Sequence, residues 1–382
     1  MDGAISISIA ARDGAARTAR LMTPHGEVPT PAFMPVGTRA VVKAMGPDEL
    51  WSIGYRLVLA NAYHLAVRPG PDLIHELGGV ARFMGFRGAV LTDSGGYQAM
   101  SLASINSIGE DGIRFRSHLD GAPLMLTPES AIELQERLGS DLMMALDECT
   151  PYPVSRERAQ ASAEMTARWA ERGLRAHRSA VQALLGIVQG GIYPDLRRMS
   201  ARQITALGFD GFATGGLSVG EPKDAMLEMA ALAVSMLPEA KPRYLMGVGT
   251  PEDLLAAIAM GYDLFDCVLP TRNARNGGAF TSQGRISIKR AAYTRDARPL
   301  DPDCGCRCCI TFTRAYLRHL YLSGEILAAR ALTEHNLFFY ASLMSQAQAA
   351  IASGTYRTFS RAVIERISAG DGETGGVKTY VV

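Results

Sequence analysis

The residues of this chain that could do chemistry begin with its cysteines. Of six cysteines in 382 residues, four lie between Cys304 and Cys309. The spacing Cys304-x-Cys306-x-x-Cys309 supplies three thiolates, and in a reducing compartment it predicts a metal site before a disulfide. His335, farther along the chain, would complete a Cys3His set, which is typical of a closed, tetrahedral, structural zinc site. Cys308 leaves a second register open, because Cys306-x-Cys308 could also chelate.

A second group consists of acids and an amide that directly follow short apolar runs. Asp93 and Asp147 each end such a run, Gln189 ends another, and Asp266 lies near the end of a further one. Each aspartate alone could simply cap a helix or form a turn. If the fold brings the three carboxylates together, they repel one another and lower the stability of the protein unless they serve a function. Paired carboxylates suit displacement at the anomeric carbon of a sugar, where one attacks and the other exchanges a proton with the leaving group.

A catalytic metal is the alternative use of these acids. No histidine ends any of the apolar runs, and His64 lies beyond the second one, whereas a catalytic zinc normally takes histidine ligands. An amide together with exposed backbone N–H groups suits recognition of the edge of a planar heterocycle. Gly215 and Gly216 would let such a ligand approach the backbone closely.

A basic segment runs from Arg272 to Arg298, with seven basic residues against one acid in a chain whose net charge is +1. It directly follows the run that holds Asp266 and precedes the cysteines, so we expect it to border the face of the protein that carries Asp266. A nucleic-acid phosphate backbone would fit there, with Arg272, Arg275 and Lys289 as contacts. The alternative is an ordinary solvated charged surface.

The elements that must position these residues follow from the alternation of apolar runs and helical patterns. With 47% hydrophobic residues the chain can form a large core. Near-continuous apolar runs alternating with helices predict parallel strands buried on both faces. Eight of them favour a (β/α)8 TIM barrel, whose active site lies at the carboxyl ends of the strands, and an open doubly wound sheet is the alternative. The runs are Arg39–Ala44, Arg56–Asn61, Ala89–Asp93, Leu142–Asp147, Leu184–Gln189, Gly211–Gly215, Tyr244–Gly249 and Leu264–Val268.

Three segments interrupt this alternation. Residues 1–38 predict antiparallel strands that close the bottom of the barrel, residues 99–126 interrupt the third unit, and residues 272–324 interrupt the eighth. We therefore expect one catalytic domain over residues 1–382, with a zinc-binding, RNA-contacting insertion at 272–336. The N-terminus does not resemble a signal peptide and no apolar stretch reaches about 20 residues, which predicts a cytoplasmic protein.

Taken together, the motifs resemble the tRNA-guanine transglycosylases of the bacterial type. The resemblance covers about Thr30 to Gln346. It implies a barrel with one structural zinc per chain, a homodimer, and exchange of guanine at the anticodon wobble position of tRNA on the queuosine pathway. The matching residues are Thr92-Asp93-Ser94-Gly95-Gly96-Tyr97-Gln98, Gly215-Gly216-Leu217, the run from Asp266 to Gly277, and the Cys3His set.

Position by position, the resemblance implies that Asp266 is the nucleophile and Asp93 the general acid and base. The residues that it implies for base recognition are Asp147, Gln189, Gly216 and Leu217, with Tyr97 and Met246 enclosing the base. Cys149 and Val219 match the bacterial pattern, which implies 7-aminomethyl-7-deazaguanine as the incoming base in place of queuine. Glu221 could orient the Leu217 peptide toward that base, or it could cap the helix that begins at Pro222.

Two other functions remain open from the residues alone. One is a barrel hydrolase acting on a small nucleoside, with a zinc that is only structural. The other is an RNA-binding zinc protein on an inactive barrel. Only a transglycosylase would incorporate labelled guanine into tRNA.

Overall fold

The computed structural model describes residues 4–97, 107–116 and 121–370. The strands in these ranges are β1 (Ser6–Asp13), β2 (Ala16–Thr23), β3 (Gly26–Thr30), β4 (Ala32–Gly37), β5 (Leu57–Ala60), β6 (Ala89–Thr92), β7 (Ser107–Gly109), β8 (Gly112–Arg116), β9 (Pro123–Leu126), β10 (Leu142–Met144), β11 (Ala183–Val188), β12 (Gly211–Thr214), β13 (Arg243–Leu245), β14 (Leu264–Cys267), β15 (Gly278–Thr281) and β16 (Gly284–Ser287). The helices are α1 (Pro47–Ile53), α2 (Ala62–Val67), α3 (Pro71–Glu76), α4 (Val80–Met84), α5 (Pro128–Leu138), α6 (Arg156–Ala176), α7 (Pro194–Thr205), α8 (Lys223–Met236), α9 (Pro251–Met260), α10 (Leu269–Arg275), α11 (Arg307–Thr311), α12 (Arg314–Leu322), α13 (Ile326–Ala352) and α14 (Tyr356–Gly370).

Eight parallel strands close into a barrel in the order β4, β5, β6, β10, β11, β12, β13, β14. The predicted (β/α)8 barrel is therefore confirmed, and the open sheet is excluded. The interior is filled by apolar side chains from all eight strands, as expected for a packed barrel. They include Met34, Leu59, Leu91, Met144, Leu185, Ala213, Tyr244 and Leu264.

Seven of the eight predicted strands overlap a barrel strand, but the first prediction, Arg39–Ala44, was wrong. Those residues form turns after β4, and Ala40 and Ala44 adopt left-handed φ angles of 55° and 68°. The first barrel strand is Ala32–Gly37, which the sequence pattern had placed in the antiparallel segment. Pro35 hides this strand, because proline lacks the N–H that a central strand normally donates.

The remaining N-terminal strands, β1 to β3, form an antiparallel sheet at the bottom of the barrel. Leu21 and Val28 of this sheet pack against the interior residues. Arg17, fully buried, pairs through Nε with Asp263 at 2.8 Å and also donates to the carbonyls of Glu239 and Lys241. The sheet therefore closes the end of the barrel opposite the carboxyl ends of the strands.

Both interruptions form structure of their own. The described part of the first contains the antiparallel sheet β7-β8-β9, while residues 99–106 and 117–120 of that stretch lie outside the described residues. The second contains the hairpin β15-β16 and the short helices α11 and α12, packed around a small core with Ile288, Leu300, Leu317 and Leu332. Among the helices of the described ranges, none has the length and apolar character needed to cross a membrane.

Candidate active site and metal centre

Asp93 follows β6 and is held by the loop after the neighbouring strand β5. Its Oδ1 accepts a hydrogen bond from the Ala62 N–H at 2.9 Å, and its Oδ2 accepts one from Asn61 Nδ2 at 2.6 Å. Asn61 also caps helix α2 by accepting the His64 N–H. The helix start thus fixes the carboxylate at the barrel mouth.

Asp266 lies in β14, where its Oδ1 accepts hydrogen bonds from the Tyr244 hydroxyl at 2.6 Å and from the Gly247 N–H at 2.8 Å. Burial raises the pKa of Asp266, and these two bonds oppose the increase. Burial, followed by the charge of Asp266, raises the pKa of Tyr244 far above its usual value, with a smaller contribution from Asp93. Tyr244 therefore keeps its proton as a donor, and both predicted catalytic carboxylates lie close enough to influence it.

Asp147 is the most buried of the three acids, with 5% of its surface exposed. Its Oδ2 accepts a hydrogen bond from Gln189 Nε2 at 2.7 Å and its Oδ1 accepts one from Ser94 Oγ at 3.3 Å. Burial raises the pKa of Asp147 to about 6, although the bonds from Gln189 and Ser94 lower it. Residues that follow three adjacent strands, β6, β10 and β11, thus meet in one polar cluster.

The turn after β12 lies against this cluster. Gly216 has a φ of 62°, and a Cβ there would lie 2.2 Å from Gln189 Oε1, so only glycine fits. The Gly216 N–H interacts with the thiol of Cys149, whose pKa burial raises to about 12. Cys149 is therefore a neutral side chain that borders the turn. Leu217 is buried and Val219 is half-buried in the same turn.

Tyr97 and Met246 follow β6 and β13, which are opposite each other in the eight-strand order. Tyr97 is 39% exposed, and burial and the nearby Cys149 thiol raise its pKa. Met246 is half-buried against the barrel interior, next to the Gly247 N–H that binds Asp266. Two large side chains therefore face the mouth from opposite strands.

The predicted metal ligands come together as one cluster. The ligand atoms of Cys304, Cys306, Cys309 and His335 lie within 4.8 Å of one another. The distances from His335 Nδ1 to the three sulfurs are 3.6, 3.5 and 3.3 Å. Tetrahedral Zn–S and Zn–N bonds place sulfur and nitrogen about 3.5 Å apart, so the set fits zinc.

The second coordination shell supports the same assignment. His335 is fully buried, and its Nε2 lies 2.7 Å from the Phe280 carbonyl, which leaves Nδ1 free to bind the metal. Cys308 is buried nearby but does not belong to the four-ligand set. Four protein ligands leave no open coordination position, so the centre is structural.

Asn336, next to the ligand His335, connects the metal centre to the barrel mouth. Its Oδ1 accepts the Phe280 N–H at 2.9 Å, and its Nδ2 donates to the carbonyls of Pro270 and Gly278 at 2.9 and 3.1 Å. Pro270 lies in the first turn of helix α10, which begins three residues after Asp266 and carries Arg272 and Arg275. The helix that completes the metal site therefore also anchors the basic helix.

We call the cations beside the barrel mouth the basic rim: Arg39, Lys43, Arg272, Arg275 and Lys289. This group is larger than the segment that the sequence predicted, because it includes Arg39 and Lys43. Burial lowers the pKa of Lys43, and the neighbouring charges of Arg275, Arg39 and Arg272 lower it further. Arg39 and Lys43 belong to the segment that was wrongly predicted as a strand. Two cations in a strand buried on both faces should have argued against that prediction. Lys289 is exposed, with its Nζ 5.2 Å from the ring centre of Tyr321.

Three other residues of the site were missed. Asn61 and Tyr244 hold the two catalytic candidates, and the fully buried Arg197 lies behind the glycine turns. In the sequence, Asn61 and Tyr244 are only parts of the predicted apolar strands, and no pattern singles out Arg197. The position of Asn61 at a strand end was the one signal that could have identified it.

A closed parallel barrel with carboxylates at its strand ends and a Cys3His centre beside its mouth defines a zinc-bearing α/β-barrel protein. The sequence model of the queuine tRNA-ribosyltransferase family matches residues 13–369. The queuine tRNA-ribosyltransferase of Pelotomaculum thermopropionicum is 53% identical over 358 residues, covering 93% of this chain and 97% of the relative. Those of Moorella thermoacetica and Symbiobacterium thermophilum are each 51% identical, covering 96% and 94% of this chain and 99% and 90% of the relatives. This chain belongs to the queuine tRNA-ribosyltransferase family.

Proposed function

We propose that this protein is a tRNA-guanine transglycosylase, a pentosyltransferase that replaces guanine at the wobble position of tRNA with 7-aminomethyl-7-deazaguanine. The observation that carries the proposal is the arrangement of Asp266 and Asp93 around the buried hydroxyl of Tyr244. Next to them lies the polar cluster of Asp147 and Gln189. Membership of the family supplies the substrate class.

The reaction would proceed by two displacements. Asp266 attacks C1′ of the ribose while the C1′–N9 bond breaks, and the electron pair leaves with guanine. Asp93 donates a proton to the departing base and later removes one from the incoming base. The incoming nitrogen then displaces Asp266 from C1′, which retains the β-configuration. The target base must leave the anticodon stack to reach the barrel mouth.

Base recognition falls to the buried polar cluster. As a carboxylate, Asp147 accepts hydrogen bonds from the N–H groups on one edge of guanine, and Gln189 and the Gly216 N–H donate to its oxygen. Burial makes these bonds stronger than they would be in water. Tyr97 and Met246, which follow opposite strands, enclose the two faces of the base.

The Leu217–Ser218 peptide provides selectivity for the aminomethyl group. The Glu221 carboxylate accepts the N–H groups of Ser218 and Val219. In a trans peptide the C=O points away from the N–H, so the Leu217 carbonyl faces away from Glu221 and can accept a bond from an ammonium group. These two contacts support the orienting role of Glu221 in preference to the capping role. Val219 and Cys149 would exclude the cyclopentenediol of queuine by their volume.

The basic rim would hold the tRNA backbone, with Arg272, Arg275 and Lys289 as phosphate contacts. Zinc, when bound by its four ligands, supplies a crosslink that fixes the insertion at 272–336 within a single catalytic domain. Large apolar side chains are exposed on α11, α12 and the start of α13, which supports the expected homodimer. They include Ile310, Tyr316, Leu322 and Ile326.

Incorporation of labelled guanine into tRNA tests the proposed function. We expect incorporation that depends on a guanine at the wobble position and survives without ATP. Unlabelled 7-aminomethyl-7-deazaguanine should displace the label irreversibly. Release of free base without incorporation would point to a nucleoside hydrolase, and RNA binding without either reaction would point to an inactive barrel.

A further inference from the structure

Arg197 lies behind the two glycine turns of the proposed base site. It extends from helix α7 and is fully buried. Nε donates to the Gly191 carbonyl at 2.9 Å, and Nη1 donates to the carbonyls of Val188 and Gly215 at 3.1 and 2.7 Å. Nη2 donates to the Gly216 carbonyl at 3.1 Å. One guanidinium thus joins the turns that follow β11 and β12.

The hydrogen-bond partners of Arg197 in the described part of the chain are all backbone carbonyls. Among the described residues, no carboxylate oxygen forms an ion pair with its guanidinium within 4.0 Å. Burial lowers the pKa of Arg197 to about 10, so the group still carries its charge at neutral pH. Burying a charge that only carbonyl dipoles compensate is costly. Hydrogen bonding to four carbonyls could be achieved by neutral donors, so the charge calls for a separate explanation.

The orientation of two peptide groups connects this charge to the base site. The carbonyls of Gly215 and Gly216 point at Arg197. In trans peptides the following N–H groups, those of Gly216 and Leu217, point the opposite way. The interaction of the Gly216 N–H with the Cys149 thiol places that N–H on the side of the polar cluster. The cation therefore lies at the carbonyl end of peptide dipoles whose N–H ends face the site.

We propose that Arg197 is a positioning residue that polarises the Gly215–Gly216 and Gly216–Leu217 peptides, so that the base site stabilises a purine-like base in its anionic form. The inference rests on the proposed function, in which the C1′–N9 electron pair leaves with the base. Part of that negative charge develops on the oxygen at the opposite edge of the ring, to which the Gly216 N–H is proposed to donate. Preorganised donors aimed at developing charge stabilise a transition state most effectively in a buried site.

The experiment compares two incoming bases of different acidity. Guanine and 8-azaguanine have the same hydrogen-bonding edge, but the extra ring nitrogen makes 8-azaguanine more acidic. We would measure kcat/KM for incorporation of each base into guanine-containing tRNA by the wild type and by Arg197→Gln, Arg197→Met and Arg197→Lys. Gln and Met remove the charge, and Lys retains it. If Met does not fold, Gln still supplies donors for part of the carbonyl set.

Arg243→Gln provides a matched control. Arg243 is also buried and also donates to backbone carbonyls, those of Leu237 and Pro238, but it begins β13 at the opposite end of the barrel. Its replacement should lower stability without changing the relative use of the two bases.

For guanine, we expect the neutral Arg197 variants to lose about 10²-fold in kcat/KM, the scale set by removal of one preorganised donor. The loss should be smaller for 8-azaguanine, so the ratio of 8-azaguanine to guanine incorporation rises, and Arg197→Lys should restore the wild-type ratio. An equal loss for both bases would overturn the inference and leave Arg197 a purely structural residue. An inactive wild type would instead refute the proposed function, so the two failures are distinguishable.

Discussion

The barrel mouth and the zinc-bearing insertion at 272–336 hold their charged residues in different ways. At the mouth, Asp93 and Asp266 are fixed by short hydrogen bonds from strand ends and helix starts of the barrel itself. In the insertion, a small apolar core surrounds four metal ligands. The chemistry should therefore depend on strand packing, whereas the position of the basic rim should depend on the metal.

The largest expected effect is at the mouth. Asp266→Asn keeps an oxygen that can accept a hydrogen bond from Tyr244 but removes the carboxylate that we propose as the nucleophile. We expect guanine exchange to fall by about 10⁴-fold or more and the denaturation-resistant RNA adduct to disappear from gels. Tyr244→Phe is the matched control, because it leaves the carboxylate in place; it should slow adduct formation without preventing it. Survival of the adduct in Asp266→Asn would transfer the nucleophilic role to another carboxylate, with Asp93 the first candidate.

The second effect is in the insertion. Cys306→Ala should lose zinc, because three remaining ligands leave the coordination incomplete. Zinc binding contributes about 10–16 kcal/mol in small zinc domains, so the segment 272–336 should lose protection in hydrogen exchange while the barrel strands retain theirs. Cys308→Ala should keep one zinc per chain by elemental analysis. Loss of zinc from Cys308→Ala would reopen the alternative ligand register.

The same two regions show what could be predicted from sequence. Apolar runs with Asp93, Asp147 and Asp266 at or near their ends located the mouth, because buried parallel strands and polar strand ends are both visible in the sequence. The Cys3His set was equally direct. The first barrel strand was misplaced because Pro35 disguised it. Arg197 could not be foreseen, since its role depends on four carbonyls brought together only by the closed barrel.

A third, intermediate effect concerns the pH dependence of base use. Burial raises the pKa of Asp147 from 3.8 to about 6, so kcat/KM for the base should rise as the pH increases through 6, where the carboxylate becomes ionised. Asp147→Asn should remove this step and lower kcat/KM about 10²-fold. Because the folded pKa lies above the ordinary value, Asp147 favours the folded state most at pH below 3.8. This contribution to stability is lost as the pH rises through 6.

Stability and base use should therefore change in opposite directions across the same pH range. Thermal unfolding of the wild type and Asp147→Asn between about pH 4 and pH 8 would measure the change in stability. The kinetics of base incorporation over the same range would measure the change in base use. An identical pH profile for the two proteins would show that Asp147 does not titrate in this range.

A fourth effect concerns the volume of the base pocket. One methylene in a hydrophobic pocket typically changes discrimination by about 10- to 200-fold, so Val219→Gly should gain queuine uptake by at least this factor while guanine exchange stays near the wild-type rate. Val219→Ala separates volume from backbone freedom, since alanine removes two methyl groups without the flexibility of glycine. Competition between queuine and 7-aminomethyl-7-deazaguanine on one tRNA would measure the discrimination between the two bases. Equal uptake of the two bases by the wild type would contradict the size argument.

The smallest effects should come from single cations of the basic rim. Removing one phosphate-binding cation should flatten the dependence of log K on log salt by about one unit, and this applies to Arg275→Ala and Lys289→Ala. Arg275 is half-buried and donates to the Thr271 carbonyl at 2.7 Å, so its substitution should also loosen helix α10 and weaken binding at high salt. Lys289 is exposed, and its replacement should change the slope alone. Arg361→Ala, an exposed cation on α14, is the control and should leave the slope unchanged. If the two rim variants keep the wild-type slope, the rim is a solvated surface, and tRNA must be held from the other side of the mouth.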